Sequence, residues 1–461
     1  MYMEDTIAAI STPIGVGGIS IIRVSGNAAI SITDKVFKSP RNKKLDNMKS
    51  HTIHYGYIVD VEKQQPIDEV LVSVMRKPNT FTKEDVVEIN CHGGVVATKK
   101  VLETVLHAGA RLADAGEFTK RAFLNGRIDL VQAEAIIDII NSKTTLGLES
   151  AVDHLEGNLS SKILDIRNKL IRIAAHLQAA VDFPEDDIEE LNEQSLSLSL
   201  KEIRNEIECL IETADMGKII REGLSTVIVG KPNVGKSSLL NALLRENRAI
   251  VTEVPGTTRD VIEEYINLRG VPLKIIDTAG IRETDDIVEK IGVEKSREFI
   301  NKADLVIFIL DSSEEMSESD YRIVSLLENK KLIVLINKSD LEINLDMDGV
   351  RNIFGRCPII NTSIKTGIGL KELEDTIEEQ FSSGKLNINN DIIITNVRHK
   401  DSLVKARESI NESVKALCNG IPLDMISIDI TNAIESLGEI IGLTVSEEII
   451  HHIFKDFCLG K

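Results

Sequence analysis

The sequence contains no tryptophan, and aromatic residues make up only 3% of its 461 residues. Proteins that bind single-stranded nucleic acid stack its bases on aromatic side chains, so a stacking surface of that kind is disfavoured. The five cysteines are widely scattered, and none lies in a CxxC pair. This distribution argues against a disulfide framework and a zinc cluster, and it favours a cytoplasmic location.

Long apolar runs are also missing. The longest, such as residues 305–310, have the length of a buried strand and fall far short of the roughly 18 residues of a membrane span. Basic residues number 54 against 73 acidic ones, and the net charge is −19. A protein that coats nucleic acid non-specifically would carry the opposite charge, so any contact with nucleic acid is expected to be local or shared with a partner. Acidic runs such as residues 313–318 are interpreted as solvated surface without a function.

At about 150 residues per domain, roughly three domains are expected. The residue types and the spacing of apolar residues change along the chain. Residues 1–118 are typical of short strands, 119–217 of helices, 218–380 of alternating strands and helices, and 381–461 of helices again. We predict a multidomain fold: an N-terminal α+β domain, and a helical domain in two segments with an α/β domain inserted between them. The alternative is four domains in a row. Insertion is favoured because neither helical segment alone has an obvious closed core.

A phosphate-binding loop is predicted at residues 230–237, which read GKPNVGKS and match GxxxxGKS. The strand-like run 224–229 precedes this motif and a helical run follows it, as such a loop requires. Its glycines let backbone N–H groups turn toward a β-phosphate, and Lys236 reaches the β- and γ-phosphate oxygens. Ser237 supplies a hydroxyl ligand for Mg²⁺.

Three further motifs follow in the order found in GTPases. Residues 277–280 (DTAG) close an apolar run, so Asp277 can hold Mg²⁺ through water and Gly280 can donate its N–H to the γ-phosphate. Residues 337–340 (NKSD) end another run, and Asp340 can accept hydrogen bonds from guanine N1–H and N2–H₂ but not from adenine. Residues 363–365 (SIK) lie where a backbone amide reads guanine O6. The set predicts a GTPase with a Ras-like α/β domain and a mainly parallel sheet.

Two residues narrow the mechanism. Ile281 stands where Ras-type enzymes carry the glutamine that orients the attacking water, so hydrolysis needs another arrangement. Asn233 lies in the phosphate loop and could coordinate a monovalent cation that replaces an arginine finger; the alternative is that it only braces the loop. Thr258, in the GTTRD segment 256–260, is the predicted second Mg²⁺ ligand of the first switch.

Segments spread over the whole chain carry a more specific pattern. They are residues 5–10, 17–19, 22–26, 81–88, 91–94, 116–127 and the terminal 457–461. Taken in this order, they resemble the tRNA modification GTPase family called MnmE or TrmE. One departure is Arg127, where some members carry lysine; the charge is kept but the hydrogen-bond geometry differs.

The resemblance implies a homodimer formed through an N-terminal tetrahydrofolate-binding domain, with the GTPase domain inserted into the helical domain. It also implies an FAD-containing partner, MnmG or GidA, with which the protein forms a heterotetramer. Together they would build an aminomethyl or carboxymethylaminomethyl group on C5 of the wobble uridine of certain tRNAs. A 5-formyl- or methylene-tetrahydrofolate would be the one-carbon compound, and hydrolysis would need K⁺ and paired GTPase domains.

The resemblance also assigns residues. It implies potassium ligands at Asn233, Thr252, Val254 and Thr257, a water-orienting carboxylate at Glu289 beside the catalytic Lys236 and Asn233, and folate contacts at Arg23, Glu88, Arg127 and Lys461. The predicted GTP-binding residues are Gly230, Asn233, Val234, Gly235, Lys236, Ser237, Ser238, Thr252, Glu253, Val254, Pro255, Gly256, Thr257, Thr258, Asp277, Thr278, Ala279, Gly280, Asn337, Lys338, Asp340, Ser363, Ile364 and Lys365.

A different class of function is a regulatory GTPase that, like Era, binds ribosomal RNA during ribosome assembly. Such a protein should carry a basic, KH-like module with a GxxG loop beside its GTPase domain. The tail from residue 381 contains neither feature, so the tRNA-modifying function is favoured. A dimer scaffold without catalysis is disfavoured by the intact GTPase motifs.

Overall fold

The computed structural model describes residues 5–182, 193–247, 264–268, 271–276, 299–327, 330–382, 392–455, 457–458 and 460. The chain divides into two compact units. Unit 1 comprises residues 1–137, 154–165 and 435–461, and unit 2 comprises residues 138–153 and 166–434.

Unit 1 is built on a seven-stranded sheet in the order β3-β4-β5-β6-β2-β1-β7. Its neighbouring strands are antiparallel except for the pair β1 and β7. The strands are β1 Ile7–Ile10, β2 Ile19–Ser25, β3 Phe37–Lys38, β4 Thr52–Val59, β5 Pro66–Met75, β6 Val86–His92 and β7 Arg111–Leu112.

One face of this sheet is covered by the helices Ala29–Val36 and Val95–His107. Because side chains alternate along a strand, the inward set is apolar and buried, as at Val70, Val72 and Val74 of β5. The opposite face, which we call the outer sheet face, carries exposed apolar residues together with charged ones. Its exposed apolar residues are Ile19, Ile53, Tyr55, Tyr57 and Leu71.

Unit 1 continues with the helix Glu117–Leu124 and ends with the helix Glu447–Lys455. Ala122 and Phe454 from these helices meet in a small core that also includes Leu130 and Phe457. Beyond this core, Ser11, which follows β1, donates its hydroxyl to the Gly460 carbonyl oxygen at 3.0 Å, so the C-terminal residues lie next to the sheet.

Unit 2 contains a six-stranded sheet in the order β13-β12-β11-β8-β10-β9, parallel except for the β9–β10 pair. The strands are β8 Leu224–Val229, β9 Glu264–Leu268, β10 Val271–Ile275, β11 Leu305–Asp311, β12 Lys331–Asn337 and β13 Ile359–Asn361. Alternate residues of β11 enter the apolar cores on the two faces, so the sheet is buried on both sides. The predicted mainly parallel α/β sheet is confirmed.

Helices flank this sheet and also precede and follow it in the sequence. Those around the sheet are Lys236–Asn247, Glu318–Val324, Met347–Phe354 and Leu370–Ser382. The remaining helices are Leu130–Asn141, Thr145–Glu156, Asn158–Asp182, Glu193–Glu212, Ala214–Glu222, Val397–Cys418 and Leu423–Ile441, some of which pass from one unit to the other. No helix in the described ranges combines the length and apolar character needed to cross a membrane.

The helices on either side of the sheet in the sequence contact each other within unit 2. Arg407 forms an ion pair with Glu208 at 3.2 Å, and Lys400 forms one with Asp215 at 2.7 Å. The Ile394 N–H donates to Thr213 Oγ1 at 2.9 Å. Segments that flank the α/β sheet in sequence are therefore packed together. The division at residues 118, 217 and 380 remains a prediction.

Candidate functional site

The phosphate loop connects β8 to the helix Lys236–Asn247, the arrangement predicted from its motif. Three of its residues have a positive φ: Gly230 at 154°, Asn233 at 64° and Gly235 at 110°. A Cβ at Gly230 would lie 2.6 Å from the carbonyl oxygen of Ile309, so a larger residue does not fit there. The loop needs its glycines for both conformation and close approach.

Lys236 is turned into this loop. Its Nζ donates to the carbonyl oxygens of Gly230 at 2.8 Å and of Lys231 at 2.7 Å. Burial lowers the pKa of the Lys236 ammonium. Ser237 follows in the first turn of the helix, where backbone N–H groups and the helix dipole favour an anion. The predicted phosphate site is thus assembled from consecutive residues.

Asn337 links the phosphate loop to the predicted guanine site. The residue is buried at the end of β12, and its Nδ2 donates to the Val234 carbonyl oxygen at 2.7 Å. Its Oδ1 accepts from the Ile364 N–H at 3.2 Å. One amide side chain therefore holds the phosphate loop and the SIK segment at a fixed spacing.

Asp340 presents its carboxylate at the surface. Asp340 Oδ1 accepts a hydrogen bond from Ser363 Oγ at 2.7 Å, and Ser363 is itself buried. This hydrogen bond is the main reason why the pKa of Asp340 lies below its usual value. The carboxylate is ionised at neutral pH and oriented, as reading two N–H donors of a guanine requires, while Lys365 beside it is exposed.

Lys338 has a positive φ of 63°, and its Nζ lies 2.5 Å from Asp311 Oδ2. Sequence reasoning did not identify Asp311, although its place at the carboxyl end of β11 was a usable signal. The reasoning also missed Lys231 of the phosphate loop, whose Nζ lies 2.8 Å from the buried carboxylate of Asp320. Nothing local in the sequence marks that second pair.

Several predicted site residues lie outside the described part of the chain. They are Thr252, Glu253, Val254, Pro255, Gly256, Thr257, Thr258, Asp277, Thr278, Ala279, Gly280, Ile281, Glu289 and Lys461. Their roles remain predictions.

In unit 1, Arg23 and Glu88 face each other across β2 and β6. Arg23 Nε and Nη2 each lie 2.9 Å from Glu88 Oε1. Among the described residues, Arg23 is the donor to this carboxylate and reaches only Oε1, so Oε2 is available to a ligand. Both side chains are about one-fifth exposed on the outer sheet face, Arg23 at 21% and Glu88 at 24%.

Two more predicted residues approach this pair. The Arg127 guanidinium lies 4.8 Å from the centre of the Phe81 ring, and the Arg23 guanidinium lies 5.9 Å from the same ring. Arg23 Nη1 also donates to the carbonyl oxygen of Gly460 at 3.3 Å. Arg23 and Arg127 therefore lie against one aromatic ring, and Glu88 and Gly460 join them through their contacts with Arg23.

A buried cluster of charges anchors this part of unit 1. Arg121, only 2% exposed, forms ion pairs with Asp5 at 2.8 Å, Glu117 at 2.9 Å and Glu84 at 3.2 Å. Burial would raise the pKa of Glu117, but hydrogen bonds from Arg111, the Asp114 N–H and Arg121 lower it below its usual value. The segments 81–88 and 116–127 of the sequence pattern are thus joined through Arg121.

The chain is similar to known protein families and proteins over its full length. The family described as GTP-binding protein TrmE N-terminus matches residues 6–127, and the MnmE helical domain family matches residues 130–458. The tRNA modification GTPase MnmE of Alkaliphilus oremlandii is 54% identical over 461 residues, 100% of both chains. The same protein of Alkaliphilus metalliredigens is 52% identical, and that of Acetivibrio thermocellus is 53% identical, also over 100% of both chains.

Among solved structures, Era of Aquifex aeolicus bound to GDP·AlF4⁻ matches 40% of this chain and 65% of its own at 28% identity. Its TM-score is 0.27, too low to establish a shared fold. The Era-like alternative required a KH-like module after the GTPase region. The match to the MnmE helical domain, which extends to residue 458, favours the tRNA-modifying class instead.

Proposed function

The chain belongs to the MnmE family of tRNA modification GTPases and is itself a GTPase, and from this premise we propose which complex and which reaction it serves. It is the GTP-hydrolysing component of a complex with the FAD-containing protein MnmG. The complex adds an aminomethyl or carboxymethylaminomethyl group to C5 of the wobble uridine of certain tRNAs. The full-length identity of 54% to a tRNA modification GTPase is the observation that carries the proposal.

Base selection rests on Asp340. Its carboxylate is ionised, held by Ser363 and open to solvent, so it can accept from guanine N1–H and N2–H₂. Adenine offers an acceptor at N1 and no 2-amino group, and it would leave the carboxylate unpaired. Asn337 keeps this site at a fixed distance from the phosphate loop through Val234.

Two cations would complete the nucleotide site. Ser237, at the start of the helix, and Thr258 would hold Mg²⁺, and Asn233, Thr252, Val254 and Thr257 would hold K⁺. Asn233 fits this role because it is exposed at the tip of the phosphate loop in a left-handed conformation. The K⁺ would supply positive charge beside the β- and γ-phosphates when two GTPase domains pair, and Glu289 would orient the attacking water.

A tetrahydrofolate would bind to Arg23, Glu88, Arg127 and Lys461. The pterin edge is rich in donors, and the open Oε2 of Glu88 is a suitable acceptor. The Phe81 ring offers an apolar surface between the two arginines, whose charges suit the carboxylate tail of the folate. The Gly460 carbonyl oxygen accepts from Arg23, and Lys461 is the next residue in the sequence.

The outer sheet face supports a homodimer formed through the N-terminal region. Its cross-strand row Tyr55, Leu71, Asn90 and Ile21 lies beside the row that contains Arg23 and Glu88. Exposed Ile53 and Leu71 make this face a poor surface for water and a good one for a second copy. Dimerisation would cover them.

The contacts of helix Val397–Cys418 with helix Glu193–Glu212 support insertion of the GTPase domain into a helical domain. The net charge of −19 is consistent with a protein that shares the binding of tRNA with MnmG in a heterotetramer. The proposed location of this complex is the cytoplasm.

The test is the wobble-uridine content of tRNA from cells that lack this chain, measured by mass spectrometry of nucleosides. The modified nucleoside should disappear, and the native gene should restore it. Lys236→Ala, which removes the phosphate-loop ammonium, should not restore it, whereas the exposed Lys415→Ala should. Unchanged wobble uridines in the deletion strain would overturn the proposal.

A further inference from the structure

The connection between β11 and the helix Glu318–Val324 contacts both nucleotide loops. We define residues 311–320 as the acidic connection. From the sequence, its central run 313–318 is interpreted as solvated surface, and Glu314 is indeed 64% exposed. We call the NKSD segment, residues 337–340, the guanine loop. Carboxylates within the acidic connection nevertheless form ion pairs with one lysine of the guanine loop and one lysine of the phosphate loop.

The first end of the connection holds the guanine loop. Asp311 is 4% exposed, and its Oδ2 pairs with Lys338 Nζ at 2.5 Å. Its Oδ1 accepts from the N–H of Ser313 at 2.9 Å and from the Ser313 hydroxyl at 2.7 Å, which fixes the carboxylate plane. The Ser312 N–H donates to the Asn337 carbonyl oxygen at 2.9 Å, and Ser312 Oγ donates to that of Lys338 at 2.9 Å.

These bonds stabilise a backbone conformation that is costly by itself. Lys338 has a φ of 63°, in a left-handed backbone region that residues other than glycine rarely adopt. Lys338 lies two residues before Asp340, so its conformation sets the direction in which the Asp340 carboxylate is presented. Asp311 thereby acts on the base-reading residue through Lys338.

The other end holds the phosphate loop. Asp320 is fully buried, and its Oδ2 pairs with Lys231 Nζ at 2.8 Å, while Glu314 adds a weaker pair at 3.6 Å. The same Oδ2 accepts from the backbone and the hydroxyl of Ser317, which caps the helix. No donor among the described residues reaches Asp320 Oδ1, so Lys231 is the main compensation for a buried charge.

Lys231 is tied to the phosphate chemistry through its own carbonyl oxygen, which accepts from Lys236 Nζ at 2.7 Å. Fixing the Lys231 side chain therefore fixes one of the two carbonyl groups that hold Lys236.

We propose that the acidic connection positions both walls of the nucleotide site, Asp311 through Lys338 and Asp320 through Lys231. Both residues are positioning residues: Asp311 acts on base discrimination, and Asp320 acts on the affinity for the phosphates. The inference rests on the proposed guanine and phosphate sites. If Asp311 and Asp320 had a purely structural role, their loss would lower stability. It would not change base discrimination and phosphate affinity separately.

The guanine arm is tested by Asp311→Asn, with Ser313→Ala as the matched control. Ser313→Ala removes a hydrogen bond from the same carboxylate but leaves the pair with Lys338. Dissociation constants are measured for GTP and for ITP, which lacks the 2-amino group, together with KM, kcat and thermal unfolding without nucleotide. Asp311→Asn should lower the preference for GTP over ITP by about tenfold, the loss of one well-oriented charged hydrogen bond, and raise KM with little change in kcat.

Ser313→Ala should keep the native GTP preference even where it lowers the unfolding temperature. Asp311→Glu, which keeps the charge, should restore part of the GTP preference. An Asp311→Asn variant that loses stability but keeps the native ratio of GTP to ITP would overturn this arm.

The phosphate arm is tested by Lys231→Met, with Arg322→Met as the control. Arg322 pairs with Glu318 on the exposed side of the neighbouring helix. Lys231→Met should weaken GTP, GDP and ITP alike by about tenfold and leave the ratio of GTP to ITP unchanged. If this variant does not fold, the double variant Lys231→Met with Asp320→Asn removes both charges and keeps an acceptor for Ser317. Native affinities in whichever variant folds would overturn this arm.

Asp340→Asn in the same assays distinguishes a failure of the proposed guanine site from a failure of the positioning role of Asp311. If it leaves the ratio of GTP to ITP unchanged, the proposed guanine site itself is wrong. If it abolishes the preference while Asp311→Asn does not reduce it, only the positioning role is wrong.

Discussion

The proposed nucleotide site of unit 2 and the proposed Arg23–Glu88 site of unit 1 are assembled in opposite ways. The phosphate loop and the NKSD segment are short stretches that each follow a parallel strand, and the carboxyl ends of parallel strands meet at one edge of a sheet. The unit 1 site instead takes Arg23 and Glu88 from antiparallel strands, Arg127 from beyond a helix and Gly460 from the end of the chain.

The two sites therefore differ in which changes of structure would disrupt them. A contiguous loop keeps its geometry as long as its own strand and helix form. The Arg23–Glu88 pair depends on register, because a shift of one residue between β2 and β6 would move one partner to the other face of the sheet. The unit 1 site therefore needs an anchor outside itself, and the Arg121 cluster is placed to be that anchor.

The largest expected effect comes from breaking this anchor. Arg121→Met leaves Glu84 and Glu117 without their shared cation, and removing one partner of a buried ion pair typically costs about 3–5 kcal/mol. Chemical denaturation should show this loss in the free energy of unfolding. Arg111→Met, which removes a half-exposed arginine from the same Glu117, should cost clearly less. Equal losses would mean that Arg121 is no special anchor.

Asp340→Asn is the corresponding break in the nucleotide site. An amide presents an N–H₂ where guanine also donates, so GTP affinity should fall by about a hundredfold, and xanthosine triphosphate, which accepts there, should bind better. Nucleotide titration measures both, and folate affinity should stay native because the two proposed sites share no residue. Retention of native GTP affinity would show that Asp340 does not read the base.

Potassium is expected to accelerate GTP hydrolysis at the same site. An arginine finger accelerates hydrolysis by about 10³ to 10⁵, and a cation on Asn233 that does the same work should be worth at least about tenfold. GTP turnover should be higher in K⁺ than in Na⁺ at equal ionic strength, and Asn233→Ala should remove the difference. Equal rates of the native protein in the two salts would contradict the assignment.

Glu88→Ala tests the unit 1 site. Native binding of 5-formyl-tetrahydrofolate is expected near micromolar, about −8 kcal/mol, and should weaken by more than about tenfold without the carboxylate. Glu69→Ala, on the same outer sheet face, is the matched control and should bind normally. Folate titration by calorimetry decides the question, and GTP hydrolysis should be intact in both variants. No folate binding by the native protein would remove this site.

The smallest effect concerns pH. The pKa of Glu117 is lower in the folded protein than its ordinary value of 4.5, so its contribution to stability is complete above that value and is lost as the pH falls through the folded pKa. Thermal unfolding should show the native protein losing its advantage over Glu117→Gln below about pH 4.5. A constant difference between the two down to pH 3 would contradict the assigned shift.

Much of unit 2 could be predicted from the sequence because its instructions are local. The run 224–229, the glycines of the phosphate loop and the following helical stretch lie next to one another, and each requires the conformation that the structure has. Asp340 and Ser363 likewise lie just beyond the ends of neighbouring parallel strands. The mainly parallel topology followed from strand runs that alternate with helices.

The GTPase class, the phosphate and guanine motifs and the resemblance that points to Arg23, Glu88 and Arg127 can all be read from the amino-acid sequence alone. Which charges meet is visible only in the folded protein: Lys338 pairs with Asp311, Lys231 with Asp320, and Arg121 with three carboxylates. The physical reason is range. A loop's backbone conformation depends on its own glycines and neighbours, whereas an ion pair between distant segments depends on how the strands and helices that carry them pack.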